Sequence, residues 1–126
     1  MTETDFYDII TKELKSKYSN QIERKPYWGS MIWLKIIFNG EEFRIKYRKR
    51  QTCVRLTIIT KNEKISEIKN IGDYEINPKD KLLGKENTYN NKSIFKDINI
   101  NNSDSIESTV NWICDYIPLM YNIYNK

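Results

Sequence analysis

The sequence predicts an α+β fold, an antiparallel sheet of four to five strands with an N-terminal and a C-terminal helix packed on one face. Two observations predict it. Apolar residues near both ends follow helical spacing, and residues 31–59 alternate between apolar and polar side chains. The 126 residues suit one domain, 1–126, and contain neither an internal repeat nor a domain boundary.

The first helix should begin at Thr4 or Asp5, either of which can cap its first turn. It should end within the polar stretch 19–25, because Pro26 disfavours a helical conformation in the residue before it. Its apolar stripe is Phe6, Ile9, Ile10, Leu14 and Tyr18.

Residues 31–59 are predicted to form a three-stranded antiparallel meander. Its first turn is Asn39-Gly40, a pair that tolerates the positive φ angles of a two-residue hairpin. The second turn is Arg50-Gln51 or a longer loop around it, since this pair is a poor turn former.

These turns determine which residues of the meander lie opposite each other. All the resulting pairs on one face are apolar, so this face should be buried. The pairs are Ile36–Phe43, Leu34–Ile45, Ile32–Tyr47, Tyr47–Val54, Ile45–Leu56 and Phe43–Ile58.

The remaining elements are less regular. Residues 63–70 are expected to form two helical turns, Tyr74 to Ile76 a short strand, 78–92 a long polar loop, and 94–100 another strand.

The second helix should begin near Asp104, because Asp104 and Glu107 have capping-box spacing. Pro118 should kink it. Its apolar stripe is Ile106, Val110, Ile113, Ile117 and Tyr121.

The composition argues against most enzyme classes. Histidine is absent, which excludes the usual general acid–base and nucleophilic triads. The four glycines are isolated, and Cys53 and Cys114 cannot complete a zinc site. We therefore expect a non-enzymatic protein with no cofactor and no metal.

The first residues lack a secretory signal pattern, and no apolar run is long enough to span a bilayer. A cytoplasmic protein without a membrane partner is expected. The absence of alanine and the wealth of Ile, Lys and Asn are typical of a low-GC bacterium or its phage.

The face opposite the apolar one is basic and aromatic, and the net charge of +4 favours anionic partners. Lys46 should lie opposite Arg55, and Lys35 opposite Arg44, which are repulsive pairs that an anion would relieve. The candidate ligand-binding residues are Trp33, Lys35, Arg44, Lys46, Arg48, Arg50 and Arg55.

Three functions are compatible with this face. The leading one is binding of nucleic acid or a nucleotide-like anion, with a base stacked on Trp33. The second is a protein–protein inhibitor or immunity-type module. In two other interpretations the face has no ligand: the 78–92 loop covers it, or Trp33 lies under Lys46 and Arg55 as a cation–π cluster.

The third function is a metal-dependent nuclease built on Glu67-Ile68-Lys69, with Asp73 or Asp97 around magnesium. The pattern is weak, because the same Glu-x-Lys spacing occurs at Glu13-Leu14-Lys15.

One resemblance rests on the stretch from Glu42 to Ile76, which has a basic hairpin, a helical link and the closing run Ile-Gly-Asp-Tyr-Glu-Ile, and on the C-terminal helix. With these features about half of the chain resembles small α+β domains of unknown function found beside bacterial restriction and nuclease genes. Their longer Gly- and Trp-containing approach to the GDYE-like strand is missing here, so no functional residue is implied. The resemblance implies a defence, anti-defence or mobile-element context.

Overall fold

Two helices and six strands are present in a computed structural model, which describes residues 2–18, 21–26, 32–60, 74–77 and 90–124. In chain order they are α1 (Glu3–Tyr18), β1 (Ile22–Pro26), β2 (Ile32–Phe38), β3 (Glu41–Arg48), β4 (Cys53–Thr60), β5 (Tyr74–Asn77), β6 (Asn90–Asp97) and α2 (Ser103–Tyr124).

The strands form one sheet in the order β1-β2-β3-β4-β6-β5, and all neighbours are antiparallel. Helix α1 contacts β1, β2 and α2, and α2 contacts β4, with both helices contributing to one core. The predicted α+β class and the packing of both helices on one face are confirmed.

The sheet has one strand more than expected, and that strand is β1. It occupies residues 22–26, which the sequence assigns to the polar end of the first helix and the proline that closes it. Ile22 is buried and pairs with Ile36, and the sequence Ile-Glu-Arg-Lys-Pro of this edge strand shows no apolar alternation. An edge position also tolerates Pro26, because one side of the strand donates no ladder hydrogen bond.

The register of the meander is confirmed for five of the six predicted apolar pairs. The sixth, Ile32 with Tyr47, lies beyond Leu34–Ile45, the last pair of β2 and β3 on that side, and Ile32 instead pairs with Pro26 of β1.

The first turn is the predicted two-residue hairpin, with φ angles of 50° at Asn39 and 83° at Gly40. The second is the longer loop, Lys49 to Thr52. It is closed by a 3.3 Å hydrogen bond from the Thr52 N–H to the Lys49 carbonyl, and Thr52 has a φ of 48°.

Both helix caps lie just before the predicted positions. At α1 the cap is Thr2, whose hydroxyl accepts from the Asp5 N–H at 3.1 Å, while the Asp5 carboxylate accepts from the Thr2 N–H at 3.1 Å. At α2 the cap is Asn102, whose side-chain oxygen accepts from the Asp104 N–H at 2.9 Å and the Ser105 N–H at 3.1 Å. Each helix is thus capped by the residue whose side-chain oxygen accepts from the N–H groups of its first turn. Helix α2 continues through Pro118.

Strand β6 begins and ends earlier than predicted, at Asn90 and Asp97, because its pairing with β4 runs from Thr60–Asn90 to Cys53–Asp97. The last residues of the predicted 78–92 loop therefore belong to this strand. Backbone pairing overrides the low strand propensity of asparagine and lysine. The strand predicted at Tyr74 is confirmed as β5, whereas the helical turns at 63–70 lie outside the described residues.

The core is a single apolar layer between the helices and the sheet. The Tyr7 hydroxyl accepts from the Tyr47 N–H at 2.8 Å and so ties α1 to β3 within this layer. Neither described helix is both long and apolar enough to cross a bilayer. The fully buried apolar side chains are Phe6, Ile10, Leu14, Leu34, Ile36, Phe43, Ile45, Val54, Leu56, Ile58, Ile113, Ile117 and Met120.

Replacing Ile45 by Asp should unfold the domain. Ile45 is 0% exposed at the centre of the sheet, so the variant loses a buried side chain and places a carboxylate among apolar groups. We expect a loss of about 4 kcal/mol or more in urea denaturation followed by circular dichroism. Lys49→Asp, in the exposed β3–β4 loop, is the control and should unfold at nearly the wild-type midpoint. An Ile45→Asp midpoint close to wild type would contradict the assignment of the buried face.

Candidate functional site

The candidate site lies on the outer face of the sheet, opposite the helices. There a row of four side chains, which we call the basic–aromatic row, crosses the strands from β2 to β6. Lys46 pairs with Arg55, and Arg55 pairs with Phe95. Trp33 and Lys46 are the residues next to Leu34 and Ile45, the last pair of β2 and β3 on that side, so they lie at the same end of these two strands. The row therefore has an aromatic ring at each end and two cations between them.

Trp33 at one end of the row is contacted by Arg44, whose guanidinium carbon lies 4.5 Å from the centroid of the indole ring. One alternative from the sequence was that Lys46 and Arg55 cover this ring, whereas the contact seen here comes from Arg44, at the diagonal position on β3. Long side chains at diagonal positions of a sheet are within reach of each other.

Phe95 at the other end has an equivalent contact. The guanidinium carbon of Arg48 lies 5.3 Å from the centroid of the phenyl ring, and Arg48 forms no ion pair with any described residue. Sequence reasoning missed Phe95 as a site residue. Strands β4 and β6 are not joined by a short turn, so nothing local indicates that Phe95 lies opposite Arg55.

Glu42 neutralises part of the predicted repulsion. Its carboxylate lies 2.5 Å from the Arg44 Nε and 3.8 Å from the Lys35 Nζ. Lys35 and Arg44 are paired across β2 and β3 as predicted, but both form an ion pair with the Glu42 carboxylate. The sequence does contain a sign of this ion pair, because Glu42 precedes Arg44 by two residues and therefore lies on the same face of the strand.

The cations nearer the β3–β4 loop are in a net positive environment. Burial lowers the pKa of Lys46, and Arg55 and Arg48 lower it further, against a smaller opposite effect of Glu3. The second predicted repulsive pair, Lys46 with Arg55, is also present in the register. Arg50, the remaining candidate, is exposed in the loop beyond the end of β3.

Access to the outer face is uneven. Thr57, Ile59 and Ser93 are buried, and the Thr57 and Ser93 hydroxyl oxygens are 2.7 Å apart. All four residues of the basic–aromatic row, by contrast, are half-exposed. Lys35, Glu42 and Arg44, nearer the Asn39-Gly40 hairpin, are also half-exposed, so the buried part of this face is the stretch of β4 and β6 around Thr57 and Ser93. Most of the polar loop expected at 78–92 lies outside the described residues.

The cysteines are poorly suited to nucleophilic chemistry. Burial is the main cause that raises the pKa of the Cys53 thiol and also that of Cys114. Nearby Asp97 adds to the effect at Cys53, whereas Arg48 and Arg55 oppose it. Both thiols therefore stay protonated at neutral pH.

Within the described ranges no group of three or more His, Cys, Asp or Glu residues is arranged to hold a metal ion. Of the nuclease candidates, Glu67, Lys69 and Asp73 lie outside those ranges, and Asp97 is exposed on β6 opposite Cys53.

Comparison with protein-family models, with curated proteins and with solved structures finds no match for this chain.

Replacing Lys46 by Met should stabilise the domain. The pKa of Lys46 is below its ordinary value of 10.5, so between the two values the unfolded chain binds more protons and stability rises with pH. The charged form is thus penalised fully at neutral pH. We expect a gain of about 0.2–1 kcal/mol at pH 7, shrinking as the pH rises towards 10.5. Thermal denaturation across this pH range measures it.

Lys12→Met, on the exposed surface of α1, is the matched control and should show no such trend. A Lys46→Met variant that is less stable than wild type at neutral pH would mean that Lys46 is held by attractive rather than repulsive contacts.

Proposed function

We propose that the protein is a non-enzymatic nucleic-acid-binding domain whose basic–aromatic row engages a single strand. The observation that carries the proposal is the arrangement of the row, in which two aromatic rings, each beside an arginine, flank two cations. Rings and guanidinium planes stack with bases, and cations neutralise phosphates. The row thus offers ring faces to bases at its two ends and positive charges to the phosphates between them.

The spacing favours a single strand over a duplex. Trp33 and Phe95 are separated by three interstrand steps, or about 14 Å at roughly 4.8 Å each. A strand whose bases turn their faces to the two rings is more extended than the ~3.4 Å per nucleotide of a stacked strand, so this span corresponds to at most about four nucleotide steps. In a duplex the base faces are stacked on each other and unavailable to side chains.

The electrostatics support an anionic ligand at the centre of the row. A phosphate beside Lys46 would offset the repulsion from Arg55 and Arg48 that lowers the pKa of this lysine. Lys35 and Arg44 already share Glu42, so they should contribute less to phosphate binding than Arg48, which has no ion pair with a described residue.

Substitutions in the row should separate stacking from phosphate contacts. We expect Trp33→Ala and Phe95→Ala each to weaken binding of single-stranded DNA by about 1–3 kcal/mol, with little change in the salt dependence. Lys46→Ala and Arg48→Ala should weaken binding and also lower the slope of log K against log salt by about 0.7 each, because each phosphate contact releases condensed counterions. Fluorescence anisotropy over a series of salt concentrations measures both quantities.

Lys12→Ala removes the same charge from α1, away from the row, and should leave affinity and slope nearly unchanged. The proposal fails if wild type does not bind the oligonucleotide at physiological salt. If a specific acidic protein is recovered instead, and is lost when Lys46 and Arg55 are changed to Glu, the face is a protein-inhibitor surface, as expected for electrostatic complementarity.

Oligonucleotide length should have a defined effect. If both rings stack with bases, affinity for oligothymidylates should rise steeply until the oligonucleotide spans both rings, at no more than about five nucleotides, and only slowly beyond. In Phe95→Ala the steep rise should end at a shorter length, whereas Lys12→Ala should match wild type. A gradual increase in affinity with total charge, without a break, would indicate non-specific electrostatic binding.

A further inference from the structure

Helix α2 differs in charge from the rest of this basic protein. Between Ser103 and Tyr124 it contains Asp104, Glu107 and Asp115 but neither lysine nor arginine, although the whole chain has a net charge of +4. Asp104, in the first turn, is explained by its favourable interaction with the helix dipole. Glu107 and Asp115 lie beyond the first turn, where this stabilisation falls off.

These carboxylates border a recess of about 470 Å³ on the side of the protein opposite the basic–aromatic row. Its aromatic part is formed by Trp112 and Tyr116, one helical turn apart, whose ring centroids are 5.7 Å apart with planes inclined at 46°. Both rings are half-exposed. The remaining lining residues are Lys96, Asp104, Glu107, Ser108, Asn111 and Asp115.

The charged groups of this recess do not satisfy each other. None of Asp104, Glu107 and Asp115 forms an ion pair with another residue that the structure describes, and neither does Lys96. Among the described lining residues, three carboxylates face one lysine, which gives this part of the recess an excess of negative charge beside two inclined aromatic rings.

From this arrangement we propose that the recess on α2 binds a basic peptide segment of a partner protein, with an arginine or lysine side chain placed over Trp112 and Tyr116. A cation is attracted to the face of an aromatic ring, and carboxylates at the rim strengthen the attraction. The recess is large enough for such a side chain with part of its backbone. Because it lies on the helical side of the sheet, it can be occupied independently of the outer face.

The test uses a short probe, acetyl-Gly-Arg-Arg-Gly-amide, titrated into the ¹⁵N-labelled full chain. The matched probe acetyl-Gly-Gln-Gln-Gly-amide controls for backbone contacts. We expect NMR shift changes at the Trp112 indole N–H and at the amides of residues 104–116 with the arginine probe only. The amides of the basic–aromatic row should not shift.

Three variants distinguish a site from general attraction to acidic groups. Trp112→Leu keeps an apolar side chain but removes the ring, and should lower affinity about two- to fivefold. The double variant Asp104→Asn, Asp115→Asn changes two exposed positions and should retain the fold. It should lower the affinity for the arginine probe at least as much as Trp112→Leu does. Glu13→Gln removes an exposed carboxylate of α1 outside the recess and should change affinity little.

The proposal is overturned if no shifts occur, or if amides beside carboxylates outside the recess shift as much as those of residues 104–116. It is also overturned if the aspartate double variant binds the probe as tightly as wild type. It is also overturned if shifts on α2 depend on protein concentration without the probe, since the occupant would then be a second copy of this chain. None of these results depends on whether the outer face binds nucleic acid.

Discussion

The alternation of side chains along β3 is the constraint on which the rest of the structure depends. Burying Phe43, Ile45 and Tyr47 against the helices forces the residues between them to point outward, because neighbours on a strand face opposite sides. Each buried large side chain contributes about 1.5–3 kcal/mol, whereas a like-charged cross-strand pair costs only about 0.2–1 kcal/mol. The apolar core therefore holds the basic residues side by side, and an alternative register would expose that core.

The same alternation divides the outer face into two parts with different electrostatics. Next to the Asn39-Gly40 hairpin, Glu42 forms ion pairs with Lys35 and Arg44. On β4 and β6 the outer face contains buried residues, among them Thr57 and Ser93. Nearer the β3–β4 loop, burial and the charges of Arg55 and Arg48 lower the pKa of Lys46. Two aromatic rings on this face lie within reach of arginines. A cation cluster that lowers stability is typical of a site retained for binding, since residues at functional sites are often not optimal for stability.

The two sides of the sheet consequently present opposite charges. The helices cover the apolar face, and the outer surface of α2 is acidic, with an exposed aromatic pair. The outer face of the sheet is basic, with its own aromatic residues. If both proposals hold, one small domain can bring a basic protein segment and a nucleic acid together without the two ligands competing for the same residues.

The sequence by itself determined the two helices, the meander and its register, because helical stripes and hairpin turns depend on residues close together in the chain. The register in turn determined that Trp33, Lys46 and Arg55 share one face of the sheet. Tertiary structure alone decided the edge strand β1, the early start of β6, the position of Phe95 opposite Arg55, and the role of Arg44 at Trp33. These features depend on pairing between segments distant in sequence and on which of several long side chains reaches a neighbour, and neither leaves a local pattern in the chain.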